Sequence, residues 1–227
     1  MSEQKENFLD EFAGQGYDNL SSEDYQIPFV KILQSQSTQC NVDVSEDYIE
    51  GAKPGMFYNT ITNKLYGDTM RLIPVNFEKV WIEWKKDRGG FIDRHEPNSF
   101  VPDKTDFSNW TNEVGNTITE YYNFFCVIAD CPEDGIVVVS MSGSTIKQAK
   151  SWNSQISYTR LPDGKQAPYF SSIWELKTAF FQNDKGTWYS VGNVKRINFI
   201  DKKIFIGFVS PAKHSLDSSK VDYQQLT

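Results

Sequence analysis

IVVVSMSGSTIKQAKSWNSQISYTR, residues 136–160, decides how the rest of the chain is read. Ile136, Val137, Val138 and Val139 are β-branched and follow a Pro132–Gly135 turn, so the stretch begins as a strand. It then turns helical. Ser142 or Ser144 can serve as N-cap, and Gly143 permits a sharp turn into the helix. Ile146, Ala149, Asn153 and Ile156 fall near one helical face with Trp152 on its flank, while Lys147 and Lys150 share the other flank. Strand-like sequence lies on both sides: ITEYYNFFCVIAD (118–130) before it and YFSSIWELKTAFFQ (169–182) after it. One helix set into a run of strands predicts a mainly β protein, an OB-like barrel with one helix between strands.

Upstream, YQIPFVKILQSQS (25–37) carries the first apolar block, with Pro28 fixing an extended lead-in. Residues 51–84 read as short strands and turns: Lys53-Pro54-Gly55, a tip at Thr62-Asn63-Lys64, then MRLIPV and FEKVWIEW as longer strands. Pro74 inside one of these implies an edge or a bulge. Residues 85–117 lack periodicity, and a segment of that kind inside a compact domain is usually functional or disordered. Downstream, WELKTAFF (174–181) suits strand or helix, Asn183–Gly186 is a hairpin turn, and NVKRINFI and IFIGFV read as a last hairpin. The expected organisation is an acidic N-terminal arm and lead-in over 1–50, an OB-like β domain over 51–212 and a polar tail over 213–227.

Charge is unevenly distributed. The chain is −7 overall, but residues 1–50 hold eleven acidic and two basic side chains, whereas residues 142–213 hold eleven basic and four acidic. The net acidity therefore belongs to the arm, and it does not argue against a nucleic-acid partner for the body. Phe8, Leu9, Phe12 and Tyr17 intersperse the acids of the arm with apolar groups, which reads either as a solvated tail or as a segment that docks on a partner or on the body. Cys40, Cys126 and Cys131 form no CxxC and are odd in number, which points to a reducing compartment. With only His95 and His214 there is no zinc-site spacing, and no signal peptide or long apolar run is present.

No GxSxG, P-loop, GxGxxG or HExxH motif occurs, so no enzyme and no cofactor is expected, and His95 reads as a loop histidine. WIEWKKDRGGFIDR (81–94) places Trp81 and Trp84 beside Lys85, Lys86, Arg88 and Arg94 around Gly89-Gly90. Cations for phosphates and flat rings for bases are what single-stranded nucleic acid requires, and paired glycines let backbone amides approach phosphates. Trp81 and Trp84 face opposite ways on a strand, so one of the two is expected to be exposed. Glu83, Asp87 and Asp93 dilute the patch. Lys147, Lys150 and Trp152, with Arg160 and Lys165 in the following loop, form a second group, and Trp188, Tyr189, Lys195 and Arg196 a weaker third.

Five ordered blocks carry a resemblance: DYQIPFVKILQSQS (24–37), GAKPGMFYNTIT (51–62), LIPVNFEKVWIEWKKDRGGFIDRHEP (72–97), VVSMSGSTIKQAKSWNSQI (138–156) and WELKTAFFQNDKGTWYSV (174–191). Together they resemble a group of tailed-phage proteins encoded among replication and recombination genes and described as single-stranded DNA-binding proteins with an OB-like core. The resemblance implies non-catalytic binding of single-stranded DNA in the cytoplasm of an infected bacterium, with phage replication or recombination proteins as partners, no membrane association and the option of a homo-oligomer. Many single-stranded DNA-binding proteins end in an acidic tail; here SSKVDYQQLT is not strongly acidic and the acid lies at the other end. The alternative function is a protein-interaction module, a phage structural or host-directed adaptor.

Overall fold

The computed structural model describes residues 15, 25–42, 46–86, 89–97, 109–184, 186–216 and 221–226. The acidic arm, except for Gln15, lies outside the described residues, as does Arg88. The strands, in chain order, are β1 (Phe29–Ile32), β2 (Phe57–Asn59), β3 (Leu65–Gly67), β4 (Thr69–Trp84), β5 (Phe91–His95), β6 (Asn109–Thr111), β7 (Thr117–Ile128), β8 (Ile136–Ser142), β9 (Ser172–Asn183) and β10 (Gly186–Phe199). Helix α1 spans Ile146–Tyr158. A C-terminal helical run follows: α2 (Lys202–Ile204), a π-helical turn (Phe205–Val209) and α3 (Ser210–Ser215).

The protein is mainly β, and its sheet curls strongly into a half-barrel. The strand order is β10-β9-β4-β7-β8-β1-β2-β3, with β5 extending β4 and β6 pairing β7. All pairs are antiparallel except β1–β8, which run parallel for only two positions. The central strands are covered on both faces, so β7 reads as a nearly continuous apolar run. Its Tyr122, Phe124, Cys126 and Ile128 join one core, and Tyr121, Phe125 and Val127 the other.

Helix α1 covers the first core through Ala149, Trp152 and Ile156. Trp152 is fully buried, stacked on Phe124 at 4.2 Å between centroids and edge-on to Trp174 at 6.4 Å. Gly143 provides the turn into the helix with φ +53°. Neither serine caps it: a 3-10 turn over Gly143–Thr145 leads in, and Thr145 Oγ1 donates back to the Ser142 carbonyl at 2.7 Å.

The second core lies on the opposite face, under the C-terminal helical run. Here the expected final hairpin is corrected. IFIGFV is helical because Asp201 caps the run, accepting from the Ile204 amide at 2.8 Å, and Phe205, Phe208, Val209 and Ala212 then share one face toward the core. MRLIPV and FEKVWIEW are likewise one strand, and Pro74 sits at a bulge, where β4 shifts register against β7 between Pro74 and Asn76; the β9 ladder on its other side ends at Leu72.

The described residues around β1 and at 221–226 are built into this same body. β1 pairs with β2 and β8, and Val221 and Tyr223 are buried. The Tyr223 hydroxyl donates to Glu78 Oε1 at 3.0 Å and accepts from Asn123 Nδ2 at 3.1 Å, which fixes the C-terminus across the second core. On the other side, Gln34 behaves as one residue of an added strand. Its Nε2 donates to the Tyr189 carbonyl at 2.9 Å, and the Tyr189 amide donates to its Oε1 at 2.8 Å, joining the chain after β1 to the edge strand β10.

Candidate functional site

The residues expected around 81–94 do not form an open stacking surface. Trp81 is buried, edge-on to Trp110 at 4.3 Å, with the Lys79 ammonium 5.0 Å from its ring. Trp84 is 2% exposed and edge-on to Phe91 and Tyr121. Both tryptophans are correct for strand alternation, but each face of β4 is covered here, so both rings are used in packing. Arg94 is committed to carboxylates: Nη2 to Glu78 Oε1 at 2.7 Å and Nη1 to Glu96 Oε1 at 2.6 Å. Lys85 and Lys86 are exposed at the end of β4. Nearby Glu83 collects donors from Asn116 (2.6 Å) and Asn112 (2.8 Å) and lies 2.9 Å from His95 Nε2. Burial pushes the Glu83 carboxyl up, but the hydrogen bonds from Asn116, His95 and Asn112 together outweigh it and hold the group below the usual carboxylate range.

The second group fares differently. Lys147 and Lys150 are exposed on α1, whereas Trp152 faces the core. Lys165 pairs with Asp163 at 2.9 Å and lies in the loop after the helix. Arg160 follows the helix end, where its Nη1 donates to the carbonyls of Ser157 (2.8 Å) and Thr159 (3.1 Å). A cation at a helix C-terminus is favoured by the exposed carbonyls, and the planar guanidinium keeps further donors for a ligand.

Arg160 lines a groove of about 480 Å³ between the C-terminal half of α1 and the edge strand β10. The helix contributes Ser151, Ser154, Gln155 and Tyr158, the sheet contributes Arg196, and Trp174 lies at the floor. Tyr158 is 78% exposed, a flat ring that lines the same groove as the two arginines. Arg196 lies 4.6 Å from the Phe199 ring centroid. Among the described residues neither arginine is in an ion pair, nor are Lys147 and Lys150. Register explains the juxtaposition: Arg196 is opposite Trp174 in the β9–β10 ladder, and Trp174 packs on Trp152 of the helix. Tyr158 carried a readable signal, since Lys147, Ser151, Ser154 and Tyr158 fall on one helical face opposite the apolar one.

A second cavity, of about 490 Å³, opens where β1 and β8 splay apart beyond Val30 and Val139. Its polar lining is engaged internally: Gln34 with Tyr189, Ser140 with Asn123 and Thr145 with Ser142. Burial lowers the Lys31 amine there. The α1–β10 groove, with open cations and an open ring, is the better candidate. No group of His, Cys, Asp and Glu that could hold a metal is found among the described residues.

No helix among the described residues is long and apolar enough to cross a membrane. No curated protein and no solved structure matches the chain. One family does match, over residues 3–207, which takes in the arm, the whole half-barrel, α1 and the start of the C-terminal helical run. The expectation of a phage origin is met at that level, and the chain belongs to the family of Pam3 phage gp34-like proteins.

Proposed function

We propose that this phage protein binds single-stranded DNA without catalysing a reaction, with the α1–β10 groove as its contact surface. The observation that carries the reading is one groove lined by the exposed Tyr158 ring together with Arg160 and Arg196, with Lys147 and Lys150 further along the helix. Every base offers a π-face to a ring, and every phosphate a charge to a guanidinium, so this arrangement is tolerant of sequence. An OB-like barrel, which the curled half-barrel and its helix suggest, would present such a surface beside its strands. The setting we propose is phage DNA replication or recombination in the host cytoplasm.

Titration with oligothymidylate at two salt concentrations tests the proposal. Affinity should exceed that for duplex and fall with salt, with a slope of about 0.7 per phosphate neutralised. Tyr158→Ala should cost about 1–3 kcal/mol, the worth of one stacked base. Arg160→Ala with Arg196→Ala should also flatten the salt dependence. Equal affinity for duplex, or no binding at low salt, would rule the function out; normal binding by the variants would move the site elsewhere, with Lys85 and Lys86 the next cations to test.

A second reading, a protein-interaction module, is favoured by the outer part of the β9–β10 ribbon. Beyond Lys177 no strand pairs with the other edge of β9 among the described residues. Phe180, 55% exposed, meets Tyr189 edge-on, and Phe181 stacks on Trp188 on the opposite face. A salt-insensitive protein partner lost on Phe180→Ser, with no oligonucleotide binding, would select this reading.

A further inference from the structure

Next to the α1–β10 groove lies a second groove of about 400 Å³, of opposite character. Leu161, Pro168, Phe170, Phe199, Ile200 and Phe205 line it, and none of the six is fully buried. Its rim is cationic. Lys202 and Lys203 are exposed, the Lys213 ammonium sits 3.9 Å from the Phe170 ring centroid, and Arg160 and Arg196 adjoin it through Leu161 and Phe199. None of these five cations is in an ion pair among the described residues. The one acid at the groove, Asp201, is held as the helix cap by the Ile204 amide. An apolar floor with Lys202 on its lining, and Lys213 and Arg196 against its Phe170 and Phe199, fits a segment with apolar side chains set among carboxylates.

We propose that the segment is this chain's own N-terminal arm, with Phe8, Leu9 and Phe12 on the apolar floor and Glu6, Asp10 and Glu11 toward the cationic rim. Three facts select it. The pattern matches, apolar against apolar and acid against base. The arm joins the body on the correct side: Ile27 packs on the same core as Phe170, Ile200 and Phe205. The tether is long: residues 13–24 span up to about 40 Å when extended. A tethered segment also has an effective concentration on the order of millimolar, so the arm in cis outcompetes the same arm from another copy at micromolar protein. One consequence rests on the single-stranded DNA reading above: a seated arm places carboxylates beside Arg160 and Arg196 and competes with phosphate.

The test is photo-crosslinking of the full-length protein with p-benzoylphenylalanine in place of Phe12, in the absence of nucleic acid. Crosslinks should form within one chain, to peptides covering Leu161–Phe170 or Phe199–Phe205. Replacing Lys202→Glu and Lys203→Glu, both exposed, should lower the yield roughly five-fold at low salt. Crosslinks confined to other surfaces would overturn the proposal. Crosslinks between heavy- and light-isotope copies would assign the groove to a second molecule and overturn it as stated, and a yield indifferent to charge reversal would do the same. Because no DNA is present, failure here leaves the DNA reading standing, and failure of DNA binding leaves this one standing.

Discussion

Tyr223→Phe should destabilise the protein although it removes a single oxygen from a residue four positions before Thr227. The ring stays where it is, stacked on Phe91 at 6.2 Å and tilted on Phe29 at 6.3 Å, so no cavity of consequence opens. Two hydrogen bonds are lost. One is to the Glu78 carboxylate, and a hydrogen bond to a charged group is worth about 1.5–3 kcal/mol. Glu78 retains Arg94 on the same oxygen at 2.7 Å, which favours the lower end. The other leaves the Nδ2 donor of fully buried Asn123 without Tyr223, costing about 1–3 kcal/mol if that donor stays unsatisfied. Partial relaxation makes the two less than additive, so the expected loss is about 2–3 kcal/mol, or roughly 5–10 °C in Tm for a chain of this size. Urea unfolding followed by tryptophan fluorescence measures it. The same variant has a pH signature. Burial first, and the Glu78 charge second, raise the folded-state pKa of Tyr223 above that of the unfolded chain. Its contribution is therefore complete below the unfolded value of about 10 and is lost as pH rises beyond it. Tyr223→Phe should flatten part of the alkaline loss of stability. A change below about 0.5 kcal/mol, within the range of ordinary surface substitutions, would refute the idea that the C-terminal segment is locked into the core.

Glu83→Gln should act at the opposite end of the pH scale: with a folded pKa held down, the Glu83 carboxylate stabilises above the unfolded value of about 4.3 and ceases to as pH falls through the folded one, so the variant's acid-unfolding curve should be shallower there. Trp152→Ala, which removes the stack on Phe124, should cost about 3–5 kcal/mol in the same urea assay. Gly192→Ala should destabilise because its Cβ would lie 2.5 Å from that of Ala179, and Ala179→Gly should restore most of the loss in the double variant, as thermal unfolding can show. Lys85→Ala with Lys86→Ala should reduce oligothymidylate affinity less than Arg160→Ala with Arg196→Ala, and fluorescence titration at low salt separates the two pairs.

Local chemistry by itself determined the strand-to-helix passage at 136–158. Four consecutive β-branched residues, a glycine where φ turns positive and an apolar repeat on one face are properties of neighbours in the chain. The irregularity at Pro74 was readable in the same way, as edge or bulge, since a missing amide hydrogen disturbs a ladder wherever the strand lies; the ladders show a bulge against β7 just where the β9 pairing has ended at Leu72. That the chain is a phage protein, carried by ordered blocks of sequence, was legible too. Exposure was not. Trp81 and Trp84 sit on opposite faces of β4, but alternation does not say that both faces are covered, one by Trp110 and the other by Phe91 and Tyr121. Whether a cation is available was equally hidden: Arg94 is neutralised by Glu78, a residue of the paired strand, while Arg160 spends its contacts on backbone carbonyls and keeps its charge open. IFIGFV has strand propensity, and it became helical only because Asp201 caps it and a second core waits for its one apolar face. The groove itself joins Tyr158 and Arg160 to Arg196 across the β9 strand; that meeting depends on the ladder register and on Trp152 docking against Phe124 and Trp174, long-range contacts that no local pattern encodes.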